Sequence, residues 1–239
     1  MVIMSGTEVL LGRLDRLKEL RRERHRDACR EARLGRLTAW QAERLARTHV
    51  DLLENPRYRA AVRFFLTDLY APMDFRQRDR HLVRISPILA RVFSQQALHT
   101  MGLALEMNVL TEELDAAMER VLTETGFPEP LTEESYARAY RRCGDADKRR
   151  RQIELIREVG EDLDEIVTRT WIRRALEMAR RPARMSGLGD LHELLERGYH
   201  AFHRMRGAQE FLDAIVGREL RIMERIYDRH PEPFDLDRS

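Results

Sequence analysis

The spacing of apolar residues along this chain is helical from one end to the other. In the first segment they recur at intervals of three and four residues, at Leu10, Leu14, Leu17, Ala28 and Ala32. Ser5 followed by Glu8 is a capping-box pattern, which favours a helix start just after it. The pattern predicts a long helix over about 6–34, interrupted near Gly35.

Capping residues and helix breakers divide the rest of the chain. Thr38 with Gln41 forms a second capping-box pattern and predicts a helix that ends before Asn55-Pro56. Further helices are predicted to start at Pro56, at Asp74, near 94, at Thr111, at Thr132, near 146 and near 188. The segment 146–180 carries the longest apolar repeat and is predicted to be one helix, ended by Arg181-Pro182. The tail from His230 is predicted to be extended and frayed.

This pattern contains no strand-like alternation of any length, so it predicts an all-α fold. Composition agrees, because 31 leucines outnumber the 21 valines and isoleucines, and glycine and proline are scarce. We expect an irregular multi-helix bundle of about eight to ten helices. With 239 residues and 43% hydrophobic content, the chain is long enough to bury a large core. We expect a single helical domain over 1–239, with a sub-division near 182–189 as the alternative.

Cysteine content and hydropathy bear on the cellular compartment. Two cysteines, Cys29 and Cys143, are too few for a disulfide framework or a four-thiolate zinc site, and they fit a reducing compartment. No apolar run approaches the roughly 20 residues that span a bilayer. The start, Met1–Gly12, lacks the basic and apolar regions of a signal peptide. We expect a cytoplasmic protein without membrane contact.

Charge is nearly balanced overall but not locally. The formal net charge is +2, whereas residues 13–36 contain ten basic and five acidic residues. Such a segment could bind nucleic acid or an acidic partner, and the alternative is a solvated helical arm with internal Arg–Glu pairs. Because the overall charge is so low, nucleic-acid binding is the less favoured of these hypotheses.

The segment 63–79 concentrates aromatic, acidic and basic side chains between two predicted helices. Arginine offers a planar fork for carboxylate or phosphate, and a tyrosine offers a hydroxyl donor. We therefore single out a candidate site for a small polar or anionic ligand. Its residues are Arg63, Asp68, Tyr70, Asp74, Arg78 and Asp79. The alternative is a structural cluster that sets the angle between two helices.

The same segment resembles a family of uncharacterised, mostly proteobacterial, all-helical proteins. The resemblance is carried by Phe64-Phe65-Leu66-x-Asp68-Leu69-Tyr70 followed by Asp74-Phe75-x-x-Arg78-Asp79. Weaker likeness extends to Leu194–Gly198, Ala201-Phe202 and Arg218-Glu219. Ala71 stands where the family usually has glycine after the tyrosine. The resemblance implies a helical fold and no particular activity.

A histidine-rich helix face is the candidate metal site. His192, Glu196, His200 and His203 follow one another at spacings of four, four and three, which places them on one face. Since the ends of this row lie about 12 Å apart along a helix axis, only Glu196, His200 and His203 can converge on one metal ion. The alternative is a polar surface. Haem is a further cofactor hypothesis, with axial-ligand candidates at His49, His81 and His99.

Recognised catalytic patterns are otherwise missing, including nucleotide-binding glycine loops and the nucleophile elbow. Apolar residues on a long helix, Trp171 with Met178 and Met185, could form a surface patch that pairs with another protein or with a second copy, and burial in the core is an equally good alternative. The leading hypothesis is thus a non-catalytic protein that acts through protein–protein binding. The alternative is a metal- or haem-dependent enzyme that uses the His192–His203 face.

Overall fold

The computed structural model describes residues 6–66, 95–185 and 189–236, and within these ranges the chain is all-α, as predicted. It contains ten helices there and no strand. They are α1 (Gly6–Arg24), α2 (Ala28–Thr48), α3 (Val50–Glu54), α4 (Arg59–Phe64), α5 (Gln95–Glu124), α6 (Glu133–Cys143), α7 (Ala146–Thr168), α8 (Thr170–Met185), α9 (Gly189–Met205) and α10 (Gln209–Tyr227).

The long helix α5 holds the N-terminal part of the chain. Helices α1 and α2 both pack along it, and α7 packs on it as well. Arginines of the 13–36 segment meet glutamates of α5 in a ladder of ion pairs. The pairs are Arg13–Glu106, Arg16–Glu113, Arg24–Glu112 and Arg33–Glu119. The alternative of a solvated arm is therefore wrong, because α5 supplies the acidic partner within the same chain.

The first helix boundary differs from the prediction. Helix α1 ends at Arg24, and α2 begins after Asp27, whose carboxylate accepts a hydrogen bond from the backbone N–H of Cys29 at 2.8 Å. Helix α2 then continues through Gly35 and past Thr38. The Thr38 hydroxyl donates to the carbonyl of Leu34 at 2.7 Å, so this threonine lies inside a helix instead of capping one.

Three other predicted boundaries also differ from the structure. The predicted break before Thr111 is absent, since α5 is continuous and the Thr111 hydroxyl donates to the Met107 carbonyl at 2.9 Å. The predicted helix 146–180 is instead divided at Arg169, whose backbone is extended, and α8 continues beyond Pro182. The predicted start at Pro56 is shifted as well, because α4 begins at Arg59.

Elsewhere the local signals are confirmed. Thr132 and Ser135 form a reciprocal capping box at the start of α6, and Gly144, with a φ of 75°, follows its end. The prediction of a frayed tail is wrong for residues 230–236. The ring of Phe234 lies 5.9 Å from that of Trp40 and 6.1 Å from that of Tyr136, so the tail closes over the core.

Two hydrophobic clusters make up most of the core, and α10 contributes to both. One cluster joins α3, α4, α9 and α10 around Phe202 and Phe211, which are fully buried. The other joins α2, α5, α6, α7 and α10 around Met118 and Leu122. Because α10 runs through both clusters, it connects the two halves of the described chain.

Helix α7 packs closely against α10 at Gly160. A methyl group added at Gly160 would lie 2.4 Å from Cδ2 of Leu212 and 3.0 Å from Cδ1, and Leu212 is fully buried. We predict that Gly160→Ala destabilises the protein by about 1–3 kcal/mol, despite the better helix propensity of alanine. Gly35→Ala is the matched control, since nothing lies within 4 Å of a Cβ there, and it should stabilise. Urea denaturation compares the two variants, and a stabilising Gly160→Ala would contradict the close packing.

Candidate functional site

Helix α8 presents an apolar stripe to solvent along its whole length. Its residues follow one another at spacings of four and three, which places them on one face: Trp171, Ala175, Met178, Pro182 and Met185. The side chains of Trp171, Met178 and Met185 are 54%, 79% and 91% exposed. Large apolar side chains seldom gather on a free surface unless a partner covers them.

The opposite side of α8 fixes it to the bundle. Ile172 and Leu176 are half-buried and pack against the cluster around Phe202. Arg180 donates to both carboxylate oxygens of Glu196 on α9, at 2.9 and 3.0 Å. The helix is thus fixed by this side, while Trp171, Met178 and Met185 on the other side are exposed.

The predicted ligand site at 63–79 is described only in part. Arg63 lies in the last turn of α4 and is exposed. It borders a surface depression together with Arg59, Arg197 and His200. The other five candidates, Asp68, Tyr70, Asp74, Arg78 and Asp79, lie outside the described residues, so that site stays a prediction.

The predicted metal ligands lie on α9 without converging. The carboxylate of Glu196 is paired with Arg180, and the exposed His203 ring stacks on Tyr199 at 5.3 Å. His200 is also exposed. Over the described ranges, no three His, Cys, Asp or Glu side chains are arranged to hold a metal ion. The metal site therefore stays a prediction from spacing alone.

The haem candidates differ in their surroundings. His49 is buried, and both of its ring nitrogens have protein partners: Nε2 lies 3.2 Å from Glu219 Oε1, and Nδ1 lies 3.5 Å from Arg218 Nη1. A neutral ring that donates from Nε2 and accepts at Nδ1 satisfies both contacts. His99 is exposed, and His81 lies outside the described residues.

The chain also contains a polar cluster inside the bundle, which the sequence pattern did not reveal. Arg44 on α2 donates from Nη1 to both oxygens of Glu219 on α10 at 2.6 Å, and His49 adds its contact. All three side chains are buried. Burial alone would raise the pKa of Glu219, but the Arg44 guanidinium and the His49 hydrogen bond hold it well below its usual value. Glu219 is therefore ionised.

A second buried carboxylate, that of Asp115, has a raised pKa instead of a lowered one. Asp115 on α5 accepts a hydrogen bond from Nε2 of Gln41 at 3.0 Å, and the Tyr136 hydroxyl lies 3.4 Å from that nitrogen. Asp115 has no arginine partner among the described residues. Burial raises its pKa to about 6, an effect to which the neighbouring Glu112 adds.

Arg149 on α7 completes the cluster. Its guanidinium carbon lies 3.7 Å from the centre of the Tyr140 ring, a cation–π contact. The burial of Tyr140 raises the pKa of its hydroxyl, so it stays protonated. Arg149 is 4% exposed and forms no ion pair among the described residues. Its Nε and Nη2 atoms have no hydrogen-bond partner there.

Sequence reasoning missed this cluster for a physical reason. Arg44, Glu219 and Arg149 belong to three helices that are far apart in the chain, and arginine is so frequent that none of them stands out. The one signal in the sequence was the position of Arg149 relative to the apolar residues of its helix. Arg149 and Ile153 are four residues apart, so that arginine lies on the apolar face of its helix.

None of the helices in the described ranges combines the length and the apolar character that crossing a bilayer requires.

A sequence family described as "Domain of unknown function (DUF8198)" matches residues 20–233. Neither a curated protein nor a solved structure matches the chain.

Proposed function

Since the chain belongs to the family DUF8198, whose description assigns no activity, we propose a function from its surface: it binds another protein through α8. The occupant that fits is an amphipathic helix with acidic edges. The exposed apolar stripe from Trp171 to Met185 carries the proposal, because a partner helix with apolar residues at matching spacing would bury it.

The charge of α8 selects the partner. The helix carries five arginines and one glutamate. Arg173 pairs with Glu177, while Arg180 and Arg184 pair with glutamates of α9. Arg174 and Arg181 form no ion pair among the described residues, and their positions on the helix place them along one edge of the stripe. Acidic side chains on a partner would lie against this edge.

A second copy of the chain fits this surface less well. An α8–α8 contact would bring two arginine edges together, and like charges at an interface oppose association. We therefore expect a monomer in light scattering at micromolar concentrations. A dimer that Met178→Glu dissociates would instead identify a second copy as the occupant of the stripe.

Trp171 provides a direct measurement of binding. The chain has two tryptophans, so Trp40→Phe leaves Trp171 as the only indole. We predict that a designed helical peptide with leucine at the heptad contact positions and glutamate beside them shifts Trp171 emission to the blue. The dissociation constant is expected to be on the order of micromolar, typical of groove-bound single helices. A peptide with lysine in place of each glutamate should bind at least tenfold more weakly.

Two variants control this experiment. Met178→Glu places a charge in the middle of the stripe and should abolish the emission shift. Val50→Glu makes the same kind of change at an exposed position on α3 and should leave binding unchanged. Equal binding of the glutamate and lysine peptides, or full binding by Met178→Glu, would contradict the proposal.

A further inference from the structure

A cavity of about 80 Å³ lies within the bundle, bordered by the polar cluster. A single water molecule needs about 10–15 Å³ of such space, so the cavity could hold several waters or one ligand of a few non-hydrogen atoms. Its polar walls come from α2, α5, α6, α7 and α10, and include Arg44, Asp115, Tyr136, Arg149 and Glu219. The remaining walls are mostly aliphatic.

Two arginines and two carboxylates border this cavity, Arg44, Arg149, Asp115 and Glu219, and a single ion pair, Arg44–Glu219, forms among these four. Glu219 is matched by Arg44. Arg149 is equally buried, and no carboxylate among the described residues lies within ion-pair distance of it. Contact with the Tyr140 ring offsets part of the cost, but a buried guanidinium with two nitrogens that lack a hydrogen-bond partner among the described residues is costly to a fold. Such an arrangement is expected where a ligand supplies the missing acceptors.

We propose that this cavity binds a short-chain aliphatic carboxylate, with the carboxylate oxygens accepting from Nε and Nη2 of Arg149. These two nitrogens form one side of the guanidinium fork, which matches the spacing of carboxylate oxygens. The short hydrocarbon end packs against Ile153, Ile156 and Met223, which line the same cavity.

Two features favour a carboxylate over inorganic phosphate. Phosphate carries more charge and more acceptor oxygens than Arg149 alone can satisfy, while the ionised Glu219 borders the same space and repels a dianion. The aliphatic walls would also leave phosphate oxygens without donors. A carboxylate with a tail of two or three carbons presents charge at one end and apolar surface at the other.

Calorimetry and thermal melting of the full chain test the proposal with sodium butyrate. Butyramide serves as the neutral analogue of the same shape, inorganic phosphate as the other oxyanion, and sodium chloride holds the ionic strength constant. We expect saturable butyrate binding with a dissociation constant of about 1 mM, well within what a ligand of six non-hydrogen atoms can reach. Butyramide and phosphate should bind at least tenfold more weakly.

Variants at Arg149 separate binding from structure. Arg149→Met should lose butyrate binding at least tenfold and melt no lower than the wild type, because it removes an unpaired buried charge. Arg150→Met, an exposed neighbour that pairs with Glu224, should bind butyrate normally. If Arg149→Met does not fold, Arg149→Lys decides, since it keeps the charge but lacks the fork and should bind several-fold more weakly.

Several results would overturn the carboxylate site. One is an absence of saturable butyrate binding up to 50 mM, roughly fifty times the expected dissociation constant. Equal binding of butyrate and butyramide, or tighter binding of phosphate than of butyrate, would also contradict it. So would an unchanged butyrate affinity in both Arg149 variants. None of these measurements involves α8, so failure here leaves the helix-binding proposal intact.

Discussion

Replacing Glu219 with glutamine is expected to destabilise the protein by about 3–5 kcal/mol at pH 7, the cost typical of breaking a buried ion pair from one side. Arg44 donates to both oxygens of Glu219 at 2.6 Å, and His49 contacts the same carboxylate. The glutamine keeps the shape of the side chain but removes its charge. Arg44 would then remain buried without its anion.

The effect of Glu219 should depend on pH with a definite sign. Its pKa in the folded protein lies below the ordinary value of 4.5. Its stabilisation is therefore fully present above about pH 4.5 and is lost as pH falls through the folded-state pKa. The destabilisation caused by Glu219→Gln should accordingly shrink as pH falls below 4.5.

Urea denaturation at pH 7, 4.5 and 3 measures both the size and the trend. Glu224→Gln on the same helix is the control, because Glu224 is exposed and its pair with Arg150 spans 3.5 Å at the surface. It should leave the unfolding midpoint nearly unchanged. A Glu219→Gln protein as stable as the wild type at pH 7 would show that the pair contributes nothing to the fold.

Replacing Asp115 with asparagine is expected to have the opposite effect and to stabilise the protein by up to about 3 kcal/mol at pH 7.5. Burial raises the pKa of Asp115 from an ordinary 3.8 to about 6. Between these values the folded state binds a proton that the unfolded state has released. Stability therefore falls as pH rises from about 4 to about 6, and above that range the ionised carboxylate is a constant cost.

Several groups around Asp115 determine its pKa in the folded protein. Each helix that packs near it contributes one: they are Gln41 of α2, Tyr136 of α6, Arg149 of α7, Arg24 of α1 and Glu112 of α5 itself. The two arginines lower the pKa, whereas burial and Glu112 raise it. Asparagine can still accept the Gln41 hydrogen bond and has no charge to bury, which is why the gain is expected only where Asp115 would be ionised.

Melting curves between pH 4 and 8 test the prediction. The Asp115→Asn protein should match the wild type near pH 4 and exceed it increasingly up to about pH 7. Asp15→Asn is the control, since Asp15 is exposed on α1 and pairs with Lys18 three residues away. A stability difference between Asp115→Asn and the wild type that does not change with pH would contradict a raised pKa at this position.

The contrast between these two carboxylates illustrates what sequence reasoning could and could not predict. Both are acidic residues on amphipathic helices, and spacing alone places each near the apolar face. Their ionisation depends on whether an arginine from another helix reaches them. Arg44 forms an ion pair with Glu219, whereas Asp115 accepts a hydrogen bond from Gln41 and forms no ion pair among the described residues. No local pattern encodes that difference, because the partners are 175 and 74 residues away.

Some helix boundaries were likewise predictable from the local sequence, and others were not. The ends of α6 followed from local chemistry, since the Thr132 cap and Gly144 act within a few residues. Thr38 and Thr111 carry the same kind of signal, yet each lies inside a helix with its hydroxyl bonded to the carbonyl four residues earlier. Contacts with neighbouring helices stabilise α2 and α5 through these positions and outweigh the weak tendency to cap.

The sequence by itself determined the all-α class, the strong cap and stop of α6, and the spacing that places Trp171, Met178 and Met185 on one helix face. These features depend on interactions within a few residues or on the period of one helix. Only the tertiary structure decided that α5 pairs with several arginines of 13–36, that the tail covers the core through Phe234, and that Arg149 borders a cavity with no carboxylate of the described residues within ion-pair distance of it. Such features arise from contacts between distant helices, where packing overrides local preference.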